Sequence, residues 1–146
     1  MPDPAVQNYK NHSRYVVGYH GLTFFILVIN LVWSLYALIR TFSPDSVVRL
    51  LLALGLLLLF FYARRFVLTV QDRVIRLEMV LRLNQLLPAD LKPRVSEFTL
   101  GQLIALRFAG DEELPGLARK VLTEKLTDRN AIKRLVKNWK ADFLRV

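Results

Sequence analysis

The stretch YVVGYHGLTFFILVINLVWSLYALI, residues 15–39, holds no Asp, Glu, Lys or Arg between Arg14 and Arg40. At a rise of ~1.5 Å per residue a helix of this length reaches roughly 37 Å, enough to cross a hydrocarbon core of about 30 Å with some tilt. A second uncharged run, LLLALGLLLLFFYA at residues 50–63, follows closely. It lengthens to ~25 Å, near the lower limit for a span, if it starts at Val47 and Arg49 snorkels back to the headgroups. Between the runs, Thr41-Phe-Ser-Pro-Asp-Ser46 reads as a turn. Pro44 cannot continue the first helix, and Asp45 and Ser46 can cap the second. Residues 15–65 are therefore expected to form a two-helix transmembrane hairpin.

Composition narrows the rest. A chain of 146 residues has room for this hairpin and one small domain. The absence of cysteine excludes disulfides, thiol nucleophiles and thiolate metal sites, and two histidines are too few for a histidine-based metal cluster. Residues 1–14 are polar and unlike a cleavable signal, and the apolar run after them is too long for a signal-peptide core. The net charge of +9 is concentrated after the second run, where residues 64–146 carry 17 Lys/Arg against 10 Asp/Glu. Arg64-Arg65 is the densest cluster beside an apolar run. By the positive-inside bias both termini are expected in the cytoplasm and the short loop outside.

No helix breaker follows Ala63 until Pro88. Val70, Val74, Leu77 and Leu81 recur at steps of four, three and four, and Leu68, Ile75, Met79 and Leu86 make a second row. Asp72, Arg73, Arg76, Glu78 and Arg82 fill the positions between, which is helical periodicity. The second helix is predicted to run from about Ser46 to Leu87, with residues 66–87 as a cytoplasmic extension. Two apolar rows on one helix need cover. Folding back of the C-terminal helices is the simplest source; a second copy or another protein is the alternative. A coiled coil has barely three heptads available, and Asn84 interrupts its seam.

Residues 88–146 read as a small soluble helical domain. Thr99 and Gln102 fit a capping box opening a helix over Leu100–Ala109, with Gly110 as the stop. Asp111-Glu-Glu-Leu-Pro115 suits the start of another, and Asp128 can cap a last helix from Arg129 to about Leu144. With no alternating strand pattern and no internal repeat, the fold class is all-α.

The last predicted helix carries the strongest local signal. Ile132, Leu135, Val136, Trp139 and Phe143 form an apolar stripe, and Arg129, Lys133, Lys137 and Lys140 line another face, joined by Arg134 and Arg145. Together with Arg64 and Arg65 this face suits an anionic leaflet, Trp139 lying at headgroup level. Its plainer reading is a stripe that closes the core of the domain beneath a solvated face. Nucleic acid is disfavoured, because no aromatic residues interleave the basic ones. His20, near Gly18 and Gly21 and flanked by Tyr15 and Tyr19, is the one candidate cofactor ligand, with a tetrapyrrole as the group it would take. Its shallow depth argues instead for contact with water and headgroups, so no cofactor is predicted. Asn30 and Ser34, one turn apart, suit hydrogen bonding within the hairpin. No nucleophile elbow, phosphate loop or metal-ligand spacing is present, and Asp111-Glu112-Glu113 reads as helix N-terminal charge, so the chain is not expected to be an enzyme.

Several stretches carry a resemblance: Gln7-Asn-Tyr-Lys-Asn-His12, Leu58-Leu-Phe-Phe-Tyr-Ala-Arg64, Gln71-Asp-Arg-Val-Ile-Arg-Leu-Glu78, Gln102-Leu-Ile-Ala-Leu-Arg-Phe-Ala109 with Asp111-Glu-Glu-Leu114, and Ile132 to Val146 around Asn138-Trp-Lys140. Across nearly the whole chain they resemble a bacterial membrane family known only as a domain of unknown function. The resemblance implies a bacterial inner-membrane protein of two spans and assigns no activity. It leaves Gln71-Asp72-Arg73 and Arg76-Glu78 just below the bilayer, where they suit a docking surface. The expectation is a non-catalytic accessory or scaffold subunit of a larger respiratory, photosynthetic or transport complex, contacting lipid and other membrane subunits or itself. Gly18, Gly21, Phe24, Phe25, Trp33 and Tyr36 of the first span suit helix or pigment contacts. A tethered module binding anionic lipid or an acidic partner, and a self-assembling homo-oligomer using the Val70–Leu81 row, are the alternatives.

Overall fold

The computed structural model describes residue 9 and residues 16–142. The rest of the polar segment 1–14, including His12, together with Tyr15, Phe143 and Arg145, lies outside the described residues. The chain divides into two compact units, Arg14–Leu68 and Thr69–Val146 with Met1–Ser13. All helices named below are α except where stated, and among the described residues there is no strand.

The first unit holds a widened π-helical turn, Val17–Thr23, that leads directly into α1 (Phe24–Arg40), and the first part of α2 (Pro44–Leu86). The turn between them closes on two serines. Ser43 N–H donates to Ser46 Oγ at 3.0 Å, and Ser46 N–H donates to Ser43 Oγ at 3.1 Å. Ser43 therefore caps α2, with Pro44 in the first helical position where its missing N–H is harmless. Neither Asp45 nor Ser46, the caps expected from the sequence, takes that place. Asp45 instead pairs with Arg49 one turn on (2.7 Å), and Ser46 is the reciprocal partner of the cap. Within the hairpin the buried residues are small: Ser34, Ser46 and Ala53. Small side chains let helix backbones approach closely. Tyr19 stacks on Phe60 with ring centroids 4.3 Å apart, and its hydroxyl donates to the Phe60 carbonyl oxygen. Val17–Arg40 and Pro44–Leu86 are long and apolar enough to cross a bilayer. Only 6% and 11% of their most apolar windows are buried, whereas a core helix of a soluble protein is mostly buried.

In the second unit α2 continues to Leu86, and the chain then passes through a 3-10 turn (Lys92–Glu97) into α3 (Leu100–Leu106), α4 (Leu114–Thr123) and α5 (Arg129–Leu135). The core joins Ile75, Met79, Leu83 and Leu87 to Leu103, Leu106, Phe108, Leu114, Ala118, Val121 and Ile132. Each large apolar side chain removed from water here contributes about 1.5–3 kcal/mol. The capping box at α3 forms as expected: Thr99 N–H donates to Gln102 Oε1 at 2.7 Å, and Gln102 N–H to Thr99 Oγ1 at 3.3 Å. The Gln102 amide nitrogen also reaches the Leu126 carbonyl at 2.8 Å, tying α3 to the segment after α4. Asp128 caps α5 through the N–H groups of Asn130 and Ala131, both at 3.0 Å.

Two predicted helices are shorter than expected, for one shared reason. α3 ends at Leu106 rather than Ala109, and α5 ends at Leu135 rather than Leu144. No glycine or proline stops the second of these. The residues beyond both ends pair with each other instead: Gly110 N–H donates to Asn138 O and Lys140 N–H to Phe108 O, each at 2.8 Å, around an isolated antiparallel bridge between Ala109 and Trp139. Glu113 completes the closure. Its two carboxylate oxygens accept the N–H groups of Lys137 and Asn138, both at 3.1 Å. Tertiary hydrogen bonds here outcompete the one bond per residue that continuing the helix would give.

Candidate functional site

α2 within the second unit is apolar on two opposite faces, and the C-terminal helices cover one of them. Ile75, Met79, Leu83 and Leu87 are buried at 7%, 3%, 0% and 3% exposure. Val70, Val74, Leu77 and Leu81 stand 61%, 49%, 62% and 56% exposed. The fold-back expected from the sequence thus takes up the Ile75–Met79 row and leaves the Val70–Leu81 row open. Scattered exposed apolar residues need no explanation, but four in helical register form a patch, and patches mark interaction surfaces.

Arg82 fixes the helix that carries this row. Its side chain is only 15% exposed, and it binds Asp111 with Nη2 at 2.6 Å and Nε at 2.8 Å. It also donates to the carbonyl oxygens of Arg107 (3.2 Å) and Ala109 (2.5 Å). One planar guanidinium therefore holds α2 to the loop between α3 and α4, a geometry that an ammonium group cannot match. The hydrogen bond from Arg82, against partial desolvation and with help from Lys140 at 3.5 Å, holds the Asp111 carboxyl below the usual carboxylate range.

Beside it lies a cleft of about 490 Å³ lined by Glu78, Met79, Arg82, Arg107, Lys140, Ala141 and Asp142. Its basic groups are paired: Arg107 Nη1 lies 3.2 Å from Asp142, and Arg82 and Lys140 share Asp111. The cleft reads as the seam where the C-terminal segment closes over α2, held by ion pairs. Phe108, next to Arg107 in the chain, is wholly buried, with the Arg107 guanidinium 4.6 Å and the Lys133 ammonium 5.4 Å from its ring centre and the Trp139 ring 4.7 Å away.

The residues expected on one basic helical face are dispersed by the early end of α5. The Arg129 side chain lies across Gly101, close enough that a Cβ there would meet Nε at 3.0 Å. Lys133 is buried over Phe108, and Trp139 is half-buried against the same ring. Lys137 and Lys140 fall on the extended segment, Lys137 held by its backbone at Glu113 and Lys140 directed to Asp111. The basic amphipathic helix from Arg129 to Leu144 is therefore corrected to one of seven residues, Arg129–Leu135, followed by the closing strip. Arg64 is half-buried and Arg65 exposed, just after Ala63. His20 lies in the π-helical turn, where its Nδ1 is 3.2 Å from both Val16 N and Val16 O, and Tyr19 packs edge-on to its ring.

The roles of Arg82, Asp111 and Glu113 are not legible in the local sequence. Their partners lie 24 to 29 positions away in sequence, beyond any local pattern. The single available signal was three acids at Asp111–Glu113 set before Leu114-Pro115, more than one helix start needs. Among the described residues no group of three or more His, Cys, Asp or Glu is placed to hold a metal ion.

The sequence model of a family of unknown function (DUF6526) matches residues 4–146. No curated protein and no solved structure matches the chain.

Proposed function

This chain belongs to the DUF6526 family, whose description assigns no activity, and we propose that it is a non-catalytic assembly subunit: a hairpin anchored in the bacterial inner membrane that presents an apolar helix face to a protein partner in the same membrane. The observation that carries the reading is the exposed row Val70, Val74, Leu77 and Leu81 on a helix whose opposite row is fully used by its own domain. The two long apolar helices supply the anchor. Arg64-Arg65 and the basic surplus after them support a cytoplasmic location for both termini by the positive-inside bias. Arg82, clamped to Asp111 and two carbonyls, holds the row on a rigid support, as a preformed docking surface requires.

Lipid binding through the C-terminal basic residues is the weaker reading, because the amphipathic helix it needs stops at Leu135. The test is a photo-activatable side chain placed at Leu77 in the intact protein in its native membrane. A defined protein adduct, lost when the probe is moved to exposed Lys92, supports the reading. Adducts with lipid alone, or none at either position, overturn it.

A further inference from the structure

Resting on that reading, we infer that the occupant of the exposed row is a second copy of this chain, its α2 lying parallel and in register. The steps from Val70 to Val74, Leu77 and Leu81 are four, three and four, the 3.5-residue repeat of a two-helix seam, and the next step of three arrives at exposed Asn84. In heptad positions Val74 and Leu81 occupy a, and Val70, Leu77 and Asn84 occupy d. A polar residue in such a seam favours meeting its own copy, because a slipped register buries its amide against an apolar side chain.

The flanking charges fit the same partner. Arg73 precedes Val74 at position g, and Glu78 follows Leu77 at position e; both are exposed. In a parallel pair of helices, g of one chain faces e of the other five residues on, so Arg73 meets Glu78 of the second copy, and the symmetry repeats the pair. An antiparallel partner does not give this match. Anchoring supplies the remaining requirement. Two copies inserted with the same topology present their helices parallel and at the same depth, and confinement to one membrane raises their effective concentration enough for a short seam. The two-fold arrangement is self-complementary, as a closed dimer interface must be.

The chain contains no cysteine, so single cysteines report directly on neighbours. Cysteine is introduced at Val74, Leu77, Leu81 or, as control, Arg76, which is exposed on another face of α2. Each full-length variant is oxidised in native membranes. The expected result is a disulfide-linked homodimer at Val74, Leu77 and Leu81 and little at Arg76. Linkage through a single position requires each residue to meet its own copy, which only a parallel, in-register pair does along the whole seam. In the Leu77→Cys background, Arg73→Glu or Glu78→Arg alone should lower the linked fraction roughly fivefold, two exposed ion pairs turning to repulsion, and the double reversal should restore it. Equal linkage at all four positions, or no rescue by the double reversal, overturns the inference. A photo-adduct at Leu77 to a different protein, with no homodimer, overturns it while leaving the assembly reading in place. No protein adduct at all sinks both.

Discussion

Replacing Glu113 by alanine tests whether one carboxylate decides where α5 ends. Each of its oxygens accepts one backbone N–H, from Lys137 and Asn138, at 3.1 Å. Charge-assisted hydrogen bonds contribute about 1.5–3 kcal/mol each when sheltered, and Glu113 is half-exposed, so water recovers much of the loss. The expected destabilisation is about 2 kcal/mol for the pair. For a unit of this size that corresponds to roughly 8–16 °C in Tm. Trp139 supplies a local readout, since its ring lies 4.7 Å from Phe108 only while the strip 137–140 is in place. The other tryptophan, Trp33, is removed as Trp33→Phe, an exposed site in the other unit. In that background Glu113→Ala should red-shift Trp139 emission and open it to soluble quenchers at temperatures below global melting. Glu113→Gln keeps one oxygen acceptor and should fall between. A Glu113→Ala protein that melts within 2 °C of its parent with unchanged emission would refute the argument and assign the closure to the backbone pairs and the aromatic contact.

Leu83 is wholly buried at the centre of the seam between α2 and the C-terminal helices, and Leu83→Ala should cost about 2–5 kcal/mol in denaturant unfolding of the second unit. Arg82→Lys keeps the charge but not the fork that binds Asp111 and two carbonyls; a loss of about 1–3 kcal/mol is expected by the same measurement. Because Arg82 depresses the Asp111 carboxyl, the folded state binds that proton less readily than the unfolded chain. Their pairing therefore stabilises the fold fully above the unfolded carboxylate value of about 4 and is lost as pH falls through the lower folded value. Melting temperatures below pH 4 should drop more steeply for the natural chain than for Asp111→Asn, and parallel profiles would count against the pairing.

Local chemistry made much of the fold legible. The uncharged runs and the breaker-free stretch to Pro88 act within a few residues and each yields a helix, and the Thr99–Gln102 and Asp128 caps each open a helix where they predict one. What stayed hidden was set by partners far along the chain. Nothing within Arg129–Val146 says helix stop; the stop comes from Glu113, Phe108 and Gly110. Likewise both apolar rows of α2 look equivalent in sequence, and only the packing of Leu103, Leu106 and Phe108 decides that Met79 is covered while Leu77 is not. The candidate docking row was visible as a pattern, but its exposure depended on that choice.

The bridge between Ala109 and Trp139 also changes what a shortened chain would be. A version cut after Leu135 keeps every helix among the described residues of the second unit, and its far-UV spectrum would look nearly intact. It would nonetheless lack the segment that roofs Phe108 with an indole and caps the loop carbonyl of that residue. Helical content is therefore a poor gauge of whether this unit is whole. Near-UV signals and protease resistance around Phe108 report its integrity, and truncation boundaries chosen at helix ends would trim away the latch.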